Sequence, residues 1–213
     1  MKTPSSTPPA HLQFEPNPWR TRVSNLWWEA RLGISTRGVV DVQAGDAYHY
    51  STMAYGTVRR ILDALQLGPQ DVFADIGCGK GRVLCCAARL PVQRVVGVDL
   101  APEFVEQARE NARRLRGRRA PVEVHQASAQ AFDYRGVTAC LMFNPFGPQT
   151  LDAVLSSLHR AREPGARPLR IAYANPVHEE VFQHHRWLLR EAIWARVDDG
   201  VEHAVSFYRA VEA

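Results

Sequence analysis

The chain has 213 residues, 46% of them hydrophobic and 23% charged, with a formal net charge of +4; this length suits one α/β domain and is too short for two full-sized ones. No apolar run reaches the length of a membrane span, the amino terminus lacks the apolar stretch of a secretory signal, and the four cysteines show neither metal-ligand nor disulfide-scaffold spacing. These properties argue against a membrane-spanning protein and against a domain stabilised by disulfide bonds. They predict a cytoplasmic protein with reduced thiols.

The amino-terminal part of the chain differs in composition from the rest. Residues 1–20 hold five prolines together with serine and threonine, which predicts a flexible tail. Residues 21–66 predict an N-terminal helical arm or lid, with a helix over 24–32 that carries Trp27 and Trp28. These tryptophans either close over a substrate pocket or anchor the arm to the core. Anchoring is favoured because paired tryptophans most often bury area.

From residue 67 to residue 213 the chain alternates between β-rich and helical segments. The β-rich runs are 72–76, 94–99, 122–125, 138–143 and 169–174, and the helical stretches are 82–89, 102–116, 148–162 and 177–187. This alternation predicts a parallel, doubly wound sheet. At the end, the strand-like runs 187–197 and 201–211 are joined by Asp198-Asp199-Gly200, a hairpin signal. The predicted fold is therefore an α/β domain with a seven-stranded, mainly parallel sheet and a C-terminal antiparallel hairpin.

The segment Asp75-Ile-Gly-Cys-Gly-Lys-Gly81 lies between the first β-rich run and a helix. Its glycines let a ligand lie against the main chain, and the following helix offers free amide groups to polar ligand atoms. A dinucleotide fingerprint needs its third glycine one position later, where this chain has Arg82. Asp75 would repel a pyrophosphate and suits an ammonium group. The loop therefore favours S-adenosylmethionine, which has an ammonium, a sulfonium and no phosphate, over a nicotinamide cofactor.

Asp99 ends the second β-rich run, 24 residues after Asp75. In a doubly wound sheet this position lies across the ligand crevice, where a carboxylate accepts hydrogen bonds from both hydroxyls of a ribose. Neither motif alone is specific. Together, at this spacing and between these elements, they are a strong indication of an S-adenosylmethionine site.

From about residue 50 to its end the chain resembles the class I S-adenosylmethionine-dependent methyltransferases, which implies S-adenosylmethionine as cofactor, S-adenosylhomocysteine as product and no metal. By this resemblance the backbone at Gly77 and Gly79 contacts the methionine portion, and Leu100 packs on the adenine. Where the family often has Asp-Ala after the third strand, this chain has Ser128-Ala129, so either the Ser128 hydroxyl or a backbone carbonyl would contact the adenine amino group. The implied cofactor residues are Asp75, Gly77, Cys78, Gly79, Gly81, Asp99, Leu100, Ser128, Ala129, Asn144, Tyr50 and Thr52.

The fourth β-rich run ends in Asn144-Pro145-Phe146-Gly147. This looks like a shortened form of the Asn-Pro-Pro-aromatic motif of amino-group methyltransferases, with one proline missing. In that motif the Asn side chain and a Pro carbonyl accept hydrogen bonds from the target nitrogen, and the aromatic ring packs against the substrate. The resemblance therefore implies Asn144, Pro145 and Phe146 as catalytic residues. The alternative is a tight turn that ends a buried strand, with Phe146 in the core.

The segment from Gly45 to Leu62 resembles one that Dot1-like lysine methyltransferases close over their cofactor. By analogy Tyr50, Thr52 and Tyr55 touch the methionine carboxylate or line the substrate opening, and packing roles are an equal alternative. Two histidines, His49 and His178, fall on segments that can reach the crevice. Either could act as a general base when the acceptor is a hydroxyl or a protonated amine.

The leading functional prediction is transfer of the methyl group to a nitrogen on a protein side chain or a small molecule. The alternatives are an O-methyltransferase that uses His49 or His178 as base, a cofactor-binding protein without chemistry, and an RNA methyltransferase. The expected partners are a small-molecule or protein substrate and no membrane, with nucleic acid and the oligomeric state left open.

A cluster of arginines is the compositional support for the RNA alternative: Arg113, Arg114, Arg116, Arg118 and Arg119. The other interpretation is the solvated end of a helix, where arginines suit the helix dipole. That interpretation is favoured because no aromatic residues are interleaved with these arginines to stack on bases.

Overall fold

The computed structural model describes residues 19–37, 52–196 and 202–212. Its strands are β1 (Val72–Ile76), β2 (Arg94–Asp99), β3 (Val122–Gln126), β4 (Ala139–Phe143), β5 (Arg170–Ala174), β6 (Leu188–Trp194) and β7 (Val205–Ala210). Its helices are α1 (Trp19–Leu32), α2 (Tyr55–Ala64), α3 (Arg82–Ala87), α4 (Pro102–Arg114), α5 (Pro148–Arg160) and α6 (Glu179–Gln183), with a short 3-10 helix at Ala129–Ala131.

The seven strands form one sheet in the order β3-β2-β1-β4-β5-β7-β6. Strands β1 to β5 are parallel, whereas β7 runs antiparallel between β5 and β6. This confirms the predicted doubly wound sheet with a C-terminal antiparallel pair. The strand order reverses between β1 and β4, and ligands of doubly wound sheets bind outside the carboxyl ends of the strands at that point. The topology therefore predicts that a ligand binds at the loops after β1, β2 and β4.

Both faces of the sheet are covered. All five residues of β1 are buried, as expected for a central parallel strand with helices on each side. On one face, alternate residues such as Phe73 join a cluster with α2, α3 and α4. On the other face, Ala74 and Ile76 join a cluster with α5. The apolar positions of α5 recur at helical spacing, at Leu151, Val154, Leu155 and Leu158, which is why that helix packs on the sheet.

Helix α1 begins at Trp19, earlier than the predicted start at Ser24. Trp28 stacks on Tyr55 of α2, with 6.0 Å between the ring centroids, and so anchors the arm to the core. Trp27 differs from its neighbour, because its side chain stays 54% exposed. The division into a tail, an arm and a domain from residue 67 stays a prediction.

The last part of the chain departs in detail from the sequence pattern. The helix predicted over 177–187 is confined to α6, and the chain beyond it turns so that Trp187 is buried against the ring of His159, with 4.8 Å between centroids. The predicted hairpin turn, Asp198-Asp199-Gly200, lies outside the described residues. Within the described ranges no helix is both long and apolar enough to cross a membrane.

Candidate functional site

The glycine-rich loop leaves β1 and leads directly into α3. Gly77, Gly79 and Gly81 have φ angles of +77°, +50° and +80°, a region that side chains with a Cβ rarely adopt. A Cβ placed on Gly77 would lie 2.5 Å from Pro145 Cβ, so the loops after β1 and β4 are in direct contact. A side chain at position 77 would therefore push apart the two segments that the sequence predicted as cofactor and acceptor sites.

Asp75 lies at the carboxyl end of β1 and is 3% exposed. The backbone N–H of Leu84 in α3 donates to its Oδ2 over 3.1 Å, which ties the strand to the helix behind the loop. Burial raises the pKa of the Asp75 carboxyl to about 7; the Leu84 hydrogen bond opposes this shift and the charge of Asp99 adds to it. No cation of the described chain contributes to this pKa, so the charged form of Asp75 is not compensated.

The Asp99 carboxylate joins the end of β2 to the glycine loop. Gly79 N–H donates to Asp99 Oδ2 over 2.7 Å, and Ala101 N–H donates to Oδ1 over 3.0 Å. Burial raises the pKa of Asp99, against the effect of these backbone donors. The loop's own cation, Lys80, is directed to the arm, where its Nζ donates to Arg37 O over 2.6 Å.

The carboxylates of Asp75 and Asp99, both with raised pKa values, therefore flank the glycine loop. The ammonium group of Lys80 in this loop binds the Arg37 carbonyl of the arm. A cationic ligand would relieve the cost of the carboxylate charges, whereas a pyrophosphate would increase it. Carboxylate oxygens also retain acceptor capacity for ribose hydroxyls after accepting one N–H each. This donor and acceptor set fits S-adenosylmethionine, which presents an ammonium, a sulfonium and a ribose.

The residues predicted on the adenine side lie next to Asp99. Leu100 is 52% exposed, and its contact with the adenine stays a prediction. Ala127 N–H donates to Asp99 O over 3.0 Å, which brings half-buried Ser128 to the same edge of the sheet. Ala129 is buried, and its carbonyl accepts from Tyr134 Oη over 2.7 Å.

Cys78 lies within the loop with its thiol turned to the core. A Cβ on Gly97 of β2 would lie 3.0 Å from Cys78 Sγ, so the thiol packs against that strand. Burial raises the Cys78 pKa well above its usual value, which keeps the thiol neutral.

Asn144 follows β4 with φ at +38° and is 6% exposed. Tyr173 Oη in β5 donates to Asn144 Oδ1 over 3.0 Å, and His178 N–H donates to Tyr173 Oη over 3.4 Å. The Asn144 side chain is thus held in one orientation at the strand end. His178 reaches this site with its backbone, while its Nδ1 lies 3.5 Å from Glu180 Oε1.

Phe146 packs at the border of the core. It is partly buried and lies against the cluster that contains Met142 and Leu151. This contact agrees with the packing alternative for the ring. A further contact with substrate stays a prediction.

The structure brings residues to this edge that the sequence analysis did not single out. Asn175-Pro176 follows β5 as Asn144-Pro145 follows β4, with the Asn175 φ at +50° and its N–H donating to Ala204 O over 2.8 Å. The repeated Asn-Pro pair after a β-rich run was the available signal. His203 lies beside β4, with its ring centroid 5.0 Å from that of Phe143. Burial, with the charge of Arg196 adding to it, lowers the His203 pKa to about 4, so the ring is neutral at pH 7.

Glu202 connects the start of β7 to the start of α2. Its carboxylate accepts a hydrogen bond from Ala54 N–H, and burial raises its pKa. Half-buried Thr52 lies two residues before Ala54. No local pattern pointed to Glu202, because only the fold brings these segments together. His49 and Tyr50, predicted as a base and a cofactor contact, lie outside the described residues.

Arg82, the first residue of α3, fastens the arm to the glycine loop. Its guanidinium donates to Thr36 Oγ1 over 2.8 Å and to Met53 O over 2.7 Å, and its Nη2 lies 3.4 Å from Glu29 Oε1 of α1. Arg82 and Glu29 are 4% and 3% exposed. Tyr55 lies under this guanidinium, 4.6 Å from ring centroid to Cζ, and is fully buried, in agreement with its packing alternative.

Among the described residues no group of three or more His, Cys, Asp or Glu side chains is arranged to hold a metal ion.

A seven-stranded sheet with an antiparallel C-terminal pair, a glycine loop after β1 and an acid at the end of β2 together define the class I methyltransferase architecture. Comparison with known proteins agrees. Residues 73–165 match the family described as "Methyltransferase domain".

Two curated relatives and one solved structure illustrate the similarity. The Ribosomal protein L11 methyltransferase of Alteromonas mediterranea is 33% identical over 45% of this chain, and the match spans 36% of that relative. The Protein-lysine N-methyltransferase of Saccharolobus islandicus is 28% identical over 71% of this chain and 86% of the relative. The RNA methyltransferase from Salinibacter ruber, solved with S-adenosyl-L-homocysteine, aligns with a TM-score of 0.54 at 21% identity, over 75% of this chain and 92% of that one.

Residues 73–165 are thus similar to a methyltransferase domain, and the sheet has the fold of the class I S-adenosylmethionine-dependent methyltransferases. The match covers about a third of the length of the L11 methyltransferase relative and most of the length of the lysine methyltransferase relative. The three proteins named above act, by their names, on different acceptors. These similarities therefore leave the acceptor to be inferred from the site.

Proposed function

We propose that this protein transfers the methyl group of S-adenosylmethionine to a nitrogen on a protein side chain, with a lysine amine as the first candidate. The observation that carries the proposal is the Asn144 side chain, held by Tyr173 at the end of β4 and next to the glycine loop through the Gly77–Pro145 contact. The Protein-lysine N-methyltransferase relative supports this choice, since the chain covers 86% of its length.

On the cofactor side, the proposal assigns the ribose to Asp99 and the methionine ammonium to the neighbourhood of Asp75. Leu100, Ser128 and Ala129 would border the adenine. Once bound, the cofactor supplies an electrophilic methyl group on a sulfonium. Its positive charge would also serve as the counter-cation for the two carboxylates, whose pKa values are raised in the protein alone.

On the acceptor side, Asn144 Oδ1 has one lone pair engaged by Tyr173 and a second with which to accept an N–H of the incoming amine. The Pro145 carbonyl would accept another N–H. An amine held by two acceptors presents its lone pair in a fixed direction. This alignment is the main contribution that a protein makes to an in-line displacement. The amine must arrive neutral, and its surplus proton leaves to solvent.

The test uses the purified full chain, methyl-labelled S-adenosylmethionine and peptide arrays that differ only in a central Lys, Arg, Gln or Ser. We expect label in the lysine peptides, identified as methyllysine after hydrolysis. In Asn144→Ala we expect loss of turnover with an unchanged dissociation constant for S-adenosylhomocysteine. Label confined to serine peptides, or full activity in Asn144→Ala, would overturn the proposal.

A further inference from the structure

A cavity of about 320 Å³ lies between α1, α2 and the end of α3. Helix α3 starts at the glycine loop, and Arg89 of the cavity follows its other end, so the cavity lies away from the crevice. Three arginines line it, Arg31, Arg59 and Arg89. Asp63 is the only carboxylate among its described lining residues, and no arginine nitrogen is in ion-pair contact with it.

The three guanidinium groups have no carboxylate partner among the described residues. Arg59 Cζ lies 4.9 Å from the centroid of the Trp28 ring, and Arg31 Cζ lies 5.2 Å from that of the Trp27 ring. The Arg89 Nε is buried without a hydrogen-bond acceptor in the described part of the chain. Converging cations whose charge is not neutralised within the protein favour an anionic ligand, and guanidinium groups bind phosphate in a bidentate manner.

The segment that follows α4 carries further arginines and contacts residues next to this cavity. Arg116 Nη1 donates to Ala30 O of α1 over 3.2 Å, and Arg119 N–H donates to Ala88 O over 2.8 Å. A Cβ on Gly117 would lie 3.3 Å from Arg89 Nε. We use the term basic face for the three arginines of the cavity together with the neighbouring ones of this segment: Arg31, Arg59, Arg89, Arg116, Arg118 and Arg119.

The two remaining arginines of the sequence cluster differ from these. Arg113 and Arg114 both pair with Glu110, over 2.6 and 2.5 Å, and are therefore partly neutralised. The fold also brings near the cluster an aromatic residue that the local sequence lacks, because Arg116 Nη1 donates to Ala30 O of α1, the helix that carries half-exposed Trp27. The fold thus removes the reason for favouring the solvated-helix interpretation.

We propose that the basic face binds the phosphate backbone of a single-stranded nucleic acid, with Trp27 stacking on one of its bases. Six guanidinium groups, two on α1 and α2 and four in the segments that follow α3 and α4, suit a chain of phosphates better than a single phosphate. An exposed indole beside them suits the alternation of charge and base along a strand. This binding is independent of the methyl-transfer proposal, because it requires neither the cofactor nor Asn144.

The test measures binding of fluorescein-labelled oligouridine to the full chain by anisotropy, over a series of salt concentrations and without cofactor. The double variant Arg59→Gln/Arg89→Gln removes two charges from the basic face. Arg160→Gln/Arg186→Gln is its matched control, since it removes two exposed arginines that do not border the cavity and, like Arg59 and Arg89, form no ion pair with a described carboxylate. Melting temperatures verify that both variants are folded.

We expect the Arg59/Arg89 variant to bind at least ten-fold more weakly at low salt. We also expect its slope of log affinity against log salt to fall by about 1.4, or about 0.7 for each phosphate that is no longer neutralised. The control variant should keep the wild-type slope. Trp27→Ala should weaken binding of the single strand by about five-fold or more and leave duplex binding nearly unchanged.

Three outcomes would overturn the proposal: no binding of oligouridine by the wild-type chain, an equal decrease of affinity in both double variants, or binding of vesicles with anionic headgroups but not of oligonucleotides. The second outcome would reflect net charge alone. The third would assign the exposed residues of α1 to a lipid surface. None of them bears on methylation of peptides, which is measured separately.

Discussion

The Tyr173 hydroxyl donates a hydrogen bond to Asn144 Oδ1 across 3.0 Å, from β5 to the residue that follows the adjacent strand β4. Because Tyr173 is fully buried and Asn144 nearly so, this bond sets the direction in which the amide oxygen can accept from a ligand. Tyr173 is thus a positioning residue for the proposed acceptor site.

Replacing Tyr173 by Phe should lower kcat about five-fold while leaving the dissociation constant for S-adenosylhomocysteine unchanged. Loss of one hydrogen bond of about 1 kcal/mol gives this factor. The stacking of the ring on Phe182, at 5.1 Å between centroids, is kept. Tyr208→Phe is the matched control, since it also deletes a buried hydroxyl, one that donates to Glu179 over 2.8 Å. Equal decreases of kcat in the two variants would reduce Tyr173 to a stability role.

Asp99 provides a test of the cofactor site. Asp99→Ala should weaken binding of S-adenosylhomocysteine about ten-fold or more, because a charge-assisted hydrogen bond contributes roughly 1.5–3 kcal/mol. Isothermal titration calorimetry measures the change. Glu103→Gln is the control, since Glu103 contributes to the pKa of Asp99 through its charge while its own side chain is exposed. An unchanged dissociation constant in Asp99→Ala would remove Asp99 from the ribose site.

The sequence predicted those parts of the molecule that local patterns encode. The strand–helix alternation and the hairpin signal were sufficient for the sheet, and the fold is confirmed down to the antiparallel C-terminal pair. Asp75 and Asp99 could be selected because both lie at the carboxyl ends of recognisable β-rich runs. Their placement beside the glycine loop follows from strand order, which the doubly wound pattern already implies.

What the sequence missed depends on contacts between distant segments. Glu202 meets Ala54 across 148 positions, and no periodicity encodes such a pair. The proximity of Trp27 to the arginine cluster is of the same kind. Asn175 is different, because its Asn-Pro pair after a β-rich run was visible and carried the same signal as Asn144-Pro145.

The ion pair of Glu29 with Arg82 should be a large contribution to the attachment of the arm. In Glu29→Gln the buried guanidinium loses its counter-charge, and breaking a buried pair costs about 3–5 kcal/mol. We expect the lower end of that range, since Arg82 keeps its bonds to Thr36 and Met53. Urea unfolding of Glu110→Gln gives the comparison, because that carboxylate pairs at the surface and should change stability by about 0–1 kcal/mol. Similar decreases of stability in both variants would contradict a special role for the buried pair.

Asp75 predicts how cofactor binding depends on pH. Its pKa in the free protein is raised to about 7 by burial, so near neutral pH a substantial fraction of the carboxyl is protonated. A ligand ammonium next to it would favour the charged form, and binding would then release a proton. Affinity for S-adenosylhomocysteine should therefore rise as pH increases from about 5.5 toward 8 and level off above the pKa. Titrations in buffers of different ionisation enthalpy would register the released proton.

The raised pKa of Asp75 also makes the stability of the folded chain depend on pH. A carboxyl whose pKa is higher in the folded than in the unfolded chain binds more protons when folded, so its contribution to stability falls as pH rises from about 4 to 7. Asp75→Asn should lack this component and also the pH dependence of cofactor affinity, while its amide oxygen can still accept from Leu84 N–H. If Asp75→Asn follows the wild-type binding profile across this range, the ammonium of the cofactor is not bound next to Asp75.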